Sequence, residues 1–157
     1  MKLKRLFNTL FNKKEKTNEP GPATKPISFK AGFDLTQLPI VSLYQGKFVF
    51  NFLLDTGSND SIIDSNILDM VEHTPIDETS SLYGLEGKEQ VVEKCNITVT
   101  YNGIDFPYTY LVCDMKGPFS KIKAESGVTL HGIIGSKFFN EYKYVLDFES
   151  LIAYSKK

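Results

Sequence analysis

The most strongly patterned stretch of the chain is Phe48-Val49-Phe50-Asn51-Phe52-Leu53-Leu54, an apolar run that stops abruptly on Asp55-Thr56-Gly57-Ser58. Aromatic and branched side chains at this density predict a buried β-strand, and Gly57 supplies a turn where it ends. Upstream, residues 39–44 and 47–54 read as two strands joined by a tight turn at Gln45-Gly46. Ser61-Ile62-Ile63 resumes a short strand. Ser65 is then placed to cap a helical turn containing Ile67, Leu68, Met70 and Val71, and Pro75 breaks that pattern. Residues 91–101 alternate, with Val91, Cys95, Ile97, Val99 and Tyr101 on one face. Asn102-Gly103 is a hairpin signal, after which residues 104–115 return with Leu111, Cys113 and Met115 facing in. Residues 116–127 are polar and read as a loop. Residues 128–135 are apolar again and end on glycine. Ser136 is placed to cap a short helix over 137–142 whose Phe138 and Phe139 turn inward. Strands over 144–148 and 151–154 close the chain around Glu149-Ser150.

The start of the chain follows a different rhythm. Leu3, Leu6, Phe7, Leu10 and Phe11 share one helical face, with Lys2, Lys4, Arg5, Lys13 and Lys14 around it. Residues 1–16 therefore fit a peripheral contact with an anionic membrane surface, a docked partner helix or a solvated tail. Asn8, Thr9 and Asn12 interrupt the apolar core that a secretory signal requires. Residues 17–26 carry three prolines and no periodicity, which marks a linker. The expected organisation is a basic tail and linker over 1–26 and one domain over 27–157.

Composition narrows the function classes. The 157 residues are 41% hydrophobic and 13% aromatic, with 12 Phe and 8 Tyr, enough for one globular core leaning towards β. A net charge of −1 provides no general field for nucleic acid, so no nucleic-acid partner is expected. No apolar run approaches the roughly 20 residues that span a bilayer, and the expected location is cytoplasmic. Cys95 and Cys113 sit among apolar neighbours without metal-ligand spacing. They read as small core residues of a reducing compartment, with a disulfide as the alternative.

Candidate chemistry centres on Asp55. A carboxylate on the end of a buried strand is costly unless hydrogen bonds or a shared proton hold it. An isolated Asp-Thr-Gly, by contrast, is usually a plain surface turn. The second notable segment is 82–88, where Gly84 and Gly87 with Tyr83 and Leu85 around the first suggest a hairpin tip able to fold over a ligand, or an ordinary surface hairpin.

Taken in order, these features resemble a known family. Phe52 to Ser58, with Asn59 to Ile63 behind it, resembles the active-site motif of retropepsin-like aspartic proteases. Gly132-Ile133-Ile134-Gly135 with its short helix resembles the family's second hallmark, and Val145-Leu146-Asp147-Phe148 with Ile152-Ala153-Tyr154 looks like its terminal strands. The resemblance implies an all-β fold, mainly β with one or two short helices, arranged as a closed β-barrel with one lobe per chain. It implies an endopeptidase in which water is activated between two carboxyl groups, chemistry that uses no cofactor and no metal. Two carboxyls about 3 Å apart share one proton and divide the roles of base and hydrogen-bond donor.

One chain supplies one such motif, because Glu125-Ser126-Gly127 lacks a buried strand. The resemblance therefore implies a homodimer, with the second Asp55 in trans and a protein or peptide as substrate. It makes Asp55, Thr56 and Gly57 the catalytic motif, with Thr56 tying the two loops together and Gly57 leaving room for a backbone amide. Ser58 becomes a hydroxyl donor to the ionised acid. Tyr83, Gly84 and Leu85 become a flap over substrate. Ile133, Ile134 and Gly135 become supports that shape substrate pockets, with plain core packing as the alternative for the two isoleucines. His131 reads as a strand-end residue. A non-catalytic module of the same fold, which dimerises or binds peptides, is the alternative function.

Overall fold

Strand β3 (Phe48–Leu54), the densest apolar run, is flanked on both edges. In the computed structural model, which describes residues 26–84 and 87–155, it pairs antiparallel with β2 (Ile40–Gln45) and parallel with β8 (Gly132–Ile134). Its side chains alternate as the pleat requires: Phe50 and Phe52 are fully buried and stack at 5.5 Å, while Val49 is 41% exposed. β1 (Ile27–Ser28) precedes these strands. β4 (Ile62–Asp64), β5 (Thr74–Tyr83), β6 (Glu89–Tyr101) and β7 (Ile104–Cys113) follow, and β9 (Tyr144–Asp147) and β10 (Ile152–Ser155) close the chain.

The main sheet runs β2-β3-β8-β4-β7-β6-β5, and a pairing of Tyr44 with Thr100 joins β2 back to β6. That pairing closes β2, β3, β8, β4, β7 and β6 into a barrel, leaving β5 as a hairpin arm on β6. A separate sheet, β1-β10-β9, binds the start of the domain to its end. The fold is thus mainly β with a closed barrel, as the sequence led us to expect. No helix among the described residues is long and apolar enough to cross a membrane. Of the tail and linker expected over 1–26, residues 1–25 lie outside the described residues, as does Leu85.

Several details differ from expectation. Among the described residues there are three α-helices, α1 (Lys30–Thr36), α2 (Lys116–Ser126) and α3 (Ser136–Tyr142), together with a 3-10 turn at Ser65–Met70. The polar stretch 116–127 is therefore a helix rather than a loop. Pro118 is tolerated because it falls in the first turn, where backbone N–H groups have no intrahelical acceptor. Gly127, at φ +77°, ends the helix, its N–H donating to the Lys123 carbonyl at 2.8 Å. Phe119 and Ile122, three residues apart, give α2 its apolar side and pack with Ile40, Leu53, Leu130 and Ile133. Phe119→Ala should accordingly lower unfolding stability by about 3 kcal/mol in urea denaturation. A residue of an exposed loop would cost within about 0.5 kcal/mol.

The 3-10 turn is capped by Asp64, not Ser65: the Asp64 carboxylate accepts from Asn66 N at 3.2 Å. In β6 the phase differs from a single alternating face. Val91 is 67% exposed, and Val92 is buried instead. Cys95, Ile97 and Val99 line the barrel core, whereas Val92 joins Ile62, Leu111 and Cys113 in a second cluster. The phase breaks opposite the irregular register of β5 between Ile76 and Thr79. Leu111 and Cys113 thus face this second cluster, and Phe106 and Tyr110 take the barrel side of β7. Both cysteines are free and buried.

Candidate active site

Leaving the barrel, β3 ends on Asp55, whose N–H donates to the Ile134 carbonyl at 2.9 Å. The parallel register Phe52↔Gly132, Leu53↔Ile133, Leu54↔Ile134 therefore continues one residue past the strand. The Asp55 side chain is part-exposed and folds back on its own turn, where Oδ1 accepts from Gly57 N at 2.9 Å. A Cβ on residue 57 would sit 3.1 Å from that same oxygen, so glycine gives the amide its close approach to the carboxylate. Ser58 N closes the turn on the Asp55 carbonyl at 3.2 Å.

The loop is held from its other side by α3. The Ser136 hydroxyl lies 2.7 Å from the Thr56 carbonyl and 3.0 Å from the Ser58 carbonyl. The Ser136 and Lys137 amides donate to the Ser58 and Asn59 carbonyls at 2.8 and 3.1 Å. The loop thus supplies the acceptors that the first amides of α3 lack within the helix. Ser136, expected as the helix cap, is instead the first helical residue, and Gly135 holds the cap position with no side-chain bond. Gly135 N donates to the buried Ser61 hydroxyl at 3.1 Å, and Lys137 Nζ meets Asp60 Oδ1 at 2.6 Å.

Ser58 behaves differently from the resemblance. Its hydroxyl donates to the Asp60 carbonyl at 2.8 Å, so its single proton is committed away from Asp55. Ser58→Ala is therefore expected to leave the acid limb of a pH–activity profile in place. Its cost should be about 1 kcal/mol of stability from the lost bond. A shifted acid limb in that variant would show the hydroxyl turning to the acid.

The two isoleucines divide. Ile134 is 1% exposed within the barrel core, whereas Ile133 is half-buried and touches both outer clusters. Leu82, near the end of β5, packs into the same cluster as Ile62 and Ile133. The stem of the β5–β6 hairpin and the strand beneath Asp55 therefore share one apolar surface, a link that the sequence spacing alone did not reveal. At the tip Tyr83 is 66% exposed, Gly84 N donates to the Lys88 carbonyl at 3.3 Å, and Gly87 turns at φ +71°. Thr56 is exposed on the turn after Asp55. A cleft of about 480 Å³ lies next to the loop, walled by Asp60, Lys94, Tyr108, Lys137 and Glu141, and Asp55 is not among its walls.

No protein-family model and no curated protein matches the chain. Among solved structures, it is similar to the retroviral protease-like domain of Ddi1 from Leishmania major, with a TM-score of 0.46 and 16% identity, over 71% of this chain and 82% of that one.

Proposed function

We propose that this protein is an aspartic endopeptidase that works as a homodimer, hydrolysing peptide bonds with water held between the Asp55 carboxyls of two copies. The observation that carries this reading is the pinned turn. Asp55 is delivered by a buried strand, accepts a hydrogen bond from Gly57, and keeps part of its carboxyl open. The loop behind it is fastened to α3 by three donors, the Ser136 hydroxyl and the Ser136 and Lys137 amides, which meet the Thr56, Ser58 and Asn59 carbonyls. A plain surface turn has no need of such fastening. A preorganised acid does, because small displacements at a reacting centre cost large factors in rate.

In this reading the ionised carboxyl takes a proton from water as the water oxygen attacks the peptide carbonyl. The neutral carboxyl donates a hydrogen bond to the developing oxyanion. Collapse of the tetrahedral intermediate breaks the C–N bond and passes a proton to the leaving amine, giving a carboxyl product and an amine with one proton back on the pair. Thr56 reaches the partner turn, and Tyr83, Gly84 and Leu85 close over an extended peptide that Ile133 supports from below. A site formed between two copies also fits the openness of Asp55 in a single chain.

The test joins a peptide-library digest, read by mass spectrometry across about pH 3 to 8, with mass in solution. Cleavage by a dimer supports the reading. A protein that stays monomeric with peptide present, or a dimer that cleaves nothing, would favour the non-catalytic module instead.

A further inference from the structure

The hydrogen bonding of Asn51, four residues before the acid, is unusual for the middle of a strand. Its carbonyl accepts from His131 N at 2.9 Å, as a strand pair requires, but its N–H donates to the His131 ring at Nδ1, also at 2.9 Å. Its side chain is fixed on both sides, with Oδ1 accepting from the Ser42 hydroxyl at 2.8 Å and Nδ2 donating to the Thr129 carbonyl at 2.9 Å. His131 in turn accepts from Asp64 N at its own carbonyl, 2.9 Å away. Its ring stands edge-on to Phe48 and Phe50, with centroids at 5.3 and 6.4 Å. Immediately beyond this contact begins the parallel ladder that runs from Phe52↔Gly132 to the bond from Asp55 N to the Ile134 carbonyl.

A backbone N–H only donates, so this contact exists only while Nδ1 is unprotonated and Nε2 carries the ring proton. A second proton would set two donors against each other beside two aromatic rings. Burial holds the His131 pKa below its ordinary value. Asp64, at the end of β4, is the charged group acting on the ring, and it opposes that shift without cancelling it. The sign follows from linkage. With the folded value depressed, the neutral ring contributes its full stability above the unfolded value of about 6.5, and that contribution fades as pH falls towards the folded value.

We propose that His131 is a positioning residue for Asp55: its neutral ring clamps β3 and β8 in register, and protonation releases the clamp. Four residues of strand, about 13 Å, separate Asn51 from the acid, so the effect travels through the ladder and not by contact. The inference rests on the protease reading for its activity arm only.

The full chain contains two histidines, which makes ring-nitrogen NMR direct. His73 Nδ1 lies 3.0 Å from the Val71 carbonyl, which can only accept, so its expected tautomer is the opposite one and serves as an internal comparison. His131 should show a bare Nδ1 at neutral pH and titrate below about 6.5. The protection factors of the Asn51 and Asp55 amides, which remove the intrinsic pH dependence of exchange, should fall with the same midpoint. His131→Asn offers an oxygen near the Nδ1 position and does not titrate. It should keep both amides protected through that range and move the acid fall in kcat to lower pH, with KM little changed. His131→Phe has no acceptor and should lose protection at Asn51 at every pH, with kcat reduced roughly tenfold. A proton on Nδ1 at neutral pH, or amide protection indifferent to the His131 titration, overturns the clamp. If the wild type cleaves no peptide, the protease reading falls while the ring and amide measurements still decide the clamp.

Discussion

On the proposed reading, Asp55→Asn is expected to abolish peptide cleavage, by more than about 10⁴-fold, while leaving the fold and the assembly unchanged. The substitution is close to isosteric, and the Asn oxygen still accepts from Gly57 N, the one side-chain bond that Asp55 makes in the turn. What disappears is the ability to take a proton from water. In a homodimer one substitution removes both carboxyls, so the loss exceeds that of a single general base. Thermal midpoint and mass in solution should match the wild type, which separates lost chemistry from lost structure. Mixing the two proteins and allowing the copies to exchange gives a sharper result. If an active site needs two intact copies, activity follows the square of the wild-type fraction, about a quarter at equal mixing. A site within one chain gives a linear decline instead. Full activity in Asp55→Asn would remove Asp55 from the chemistry altogether.

Much of the frame was legible because each part of it was signalled locally. The apolar run of β3, the turns at Gly46 and Asn102-Gly103, and the glycine after Ile134 are short-range signals, and the strands form where those signals fall. Helix α2 was hidden because its charged residues outnumber its apolar ones and its core contact rests on Phe119 and Ile122. Gly117-Pro118 near its start also resembles a loop. The phase break in β6 was hidden for another reason. Val92 is buried by Ile62 and Leu111, which arrive from distant parts of the chain, and no periodicity within β6 encodes them.

In the candidate site the residues could be named from the sequence, and their hydrogen bonding could not. Asp55, Gly57 and Gly135 announce themselves by position in their motifs. Whether the Ser58 hydroxyl turns to Asp55 or to the Asp60 carbonyl depends on a loop closed against α3, some 80 residues away. The partnership of Asn51 with His131 is long-range in the same way, and a histidine at a strand end gives no local hint of it.

Gly135→Ala should be among the most damaging single-methyl additions in the domain, costing about 3 kcal/mol of stability and most of the cleavage activity. The reason is contact, not backbone conformation. Gly135 adopts φ −98° and ψ 177°, which any residue accepts. A Cβ there, however, would lie 2.5 Å from the Asp60 carbonyl oxygen, 2.7 Å from its carbon and 2.8 Å from the Ser58 carbonyl oxygen. All three are backbone atoms of the loop that follows Asp55, so no side chain can rotate away to relieve them. Relief requires the loop and the start of α3 to separate. Separation stretches the Ser136 and Lys137 amide bonds to Ser58 and Asn59, and it strains the Gly135 bond to Ser61. The same methyl at Gly117, within α2, meets nothing within 4 Å beyond its chain neighbours; the ring of Pro118, which follows it, offsets the usual helical gain of Ala over Gly, so the change should stay within about 1 kcal/mol. Urea denaturation of the two variants side by side isolates the effect of close approach from that of adding a methyl. If Gly135→Ala proves as stable as Gly117→Ala, the loop is not pressed against the helix start. Rigid presentation of Asp55 would then need another source.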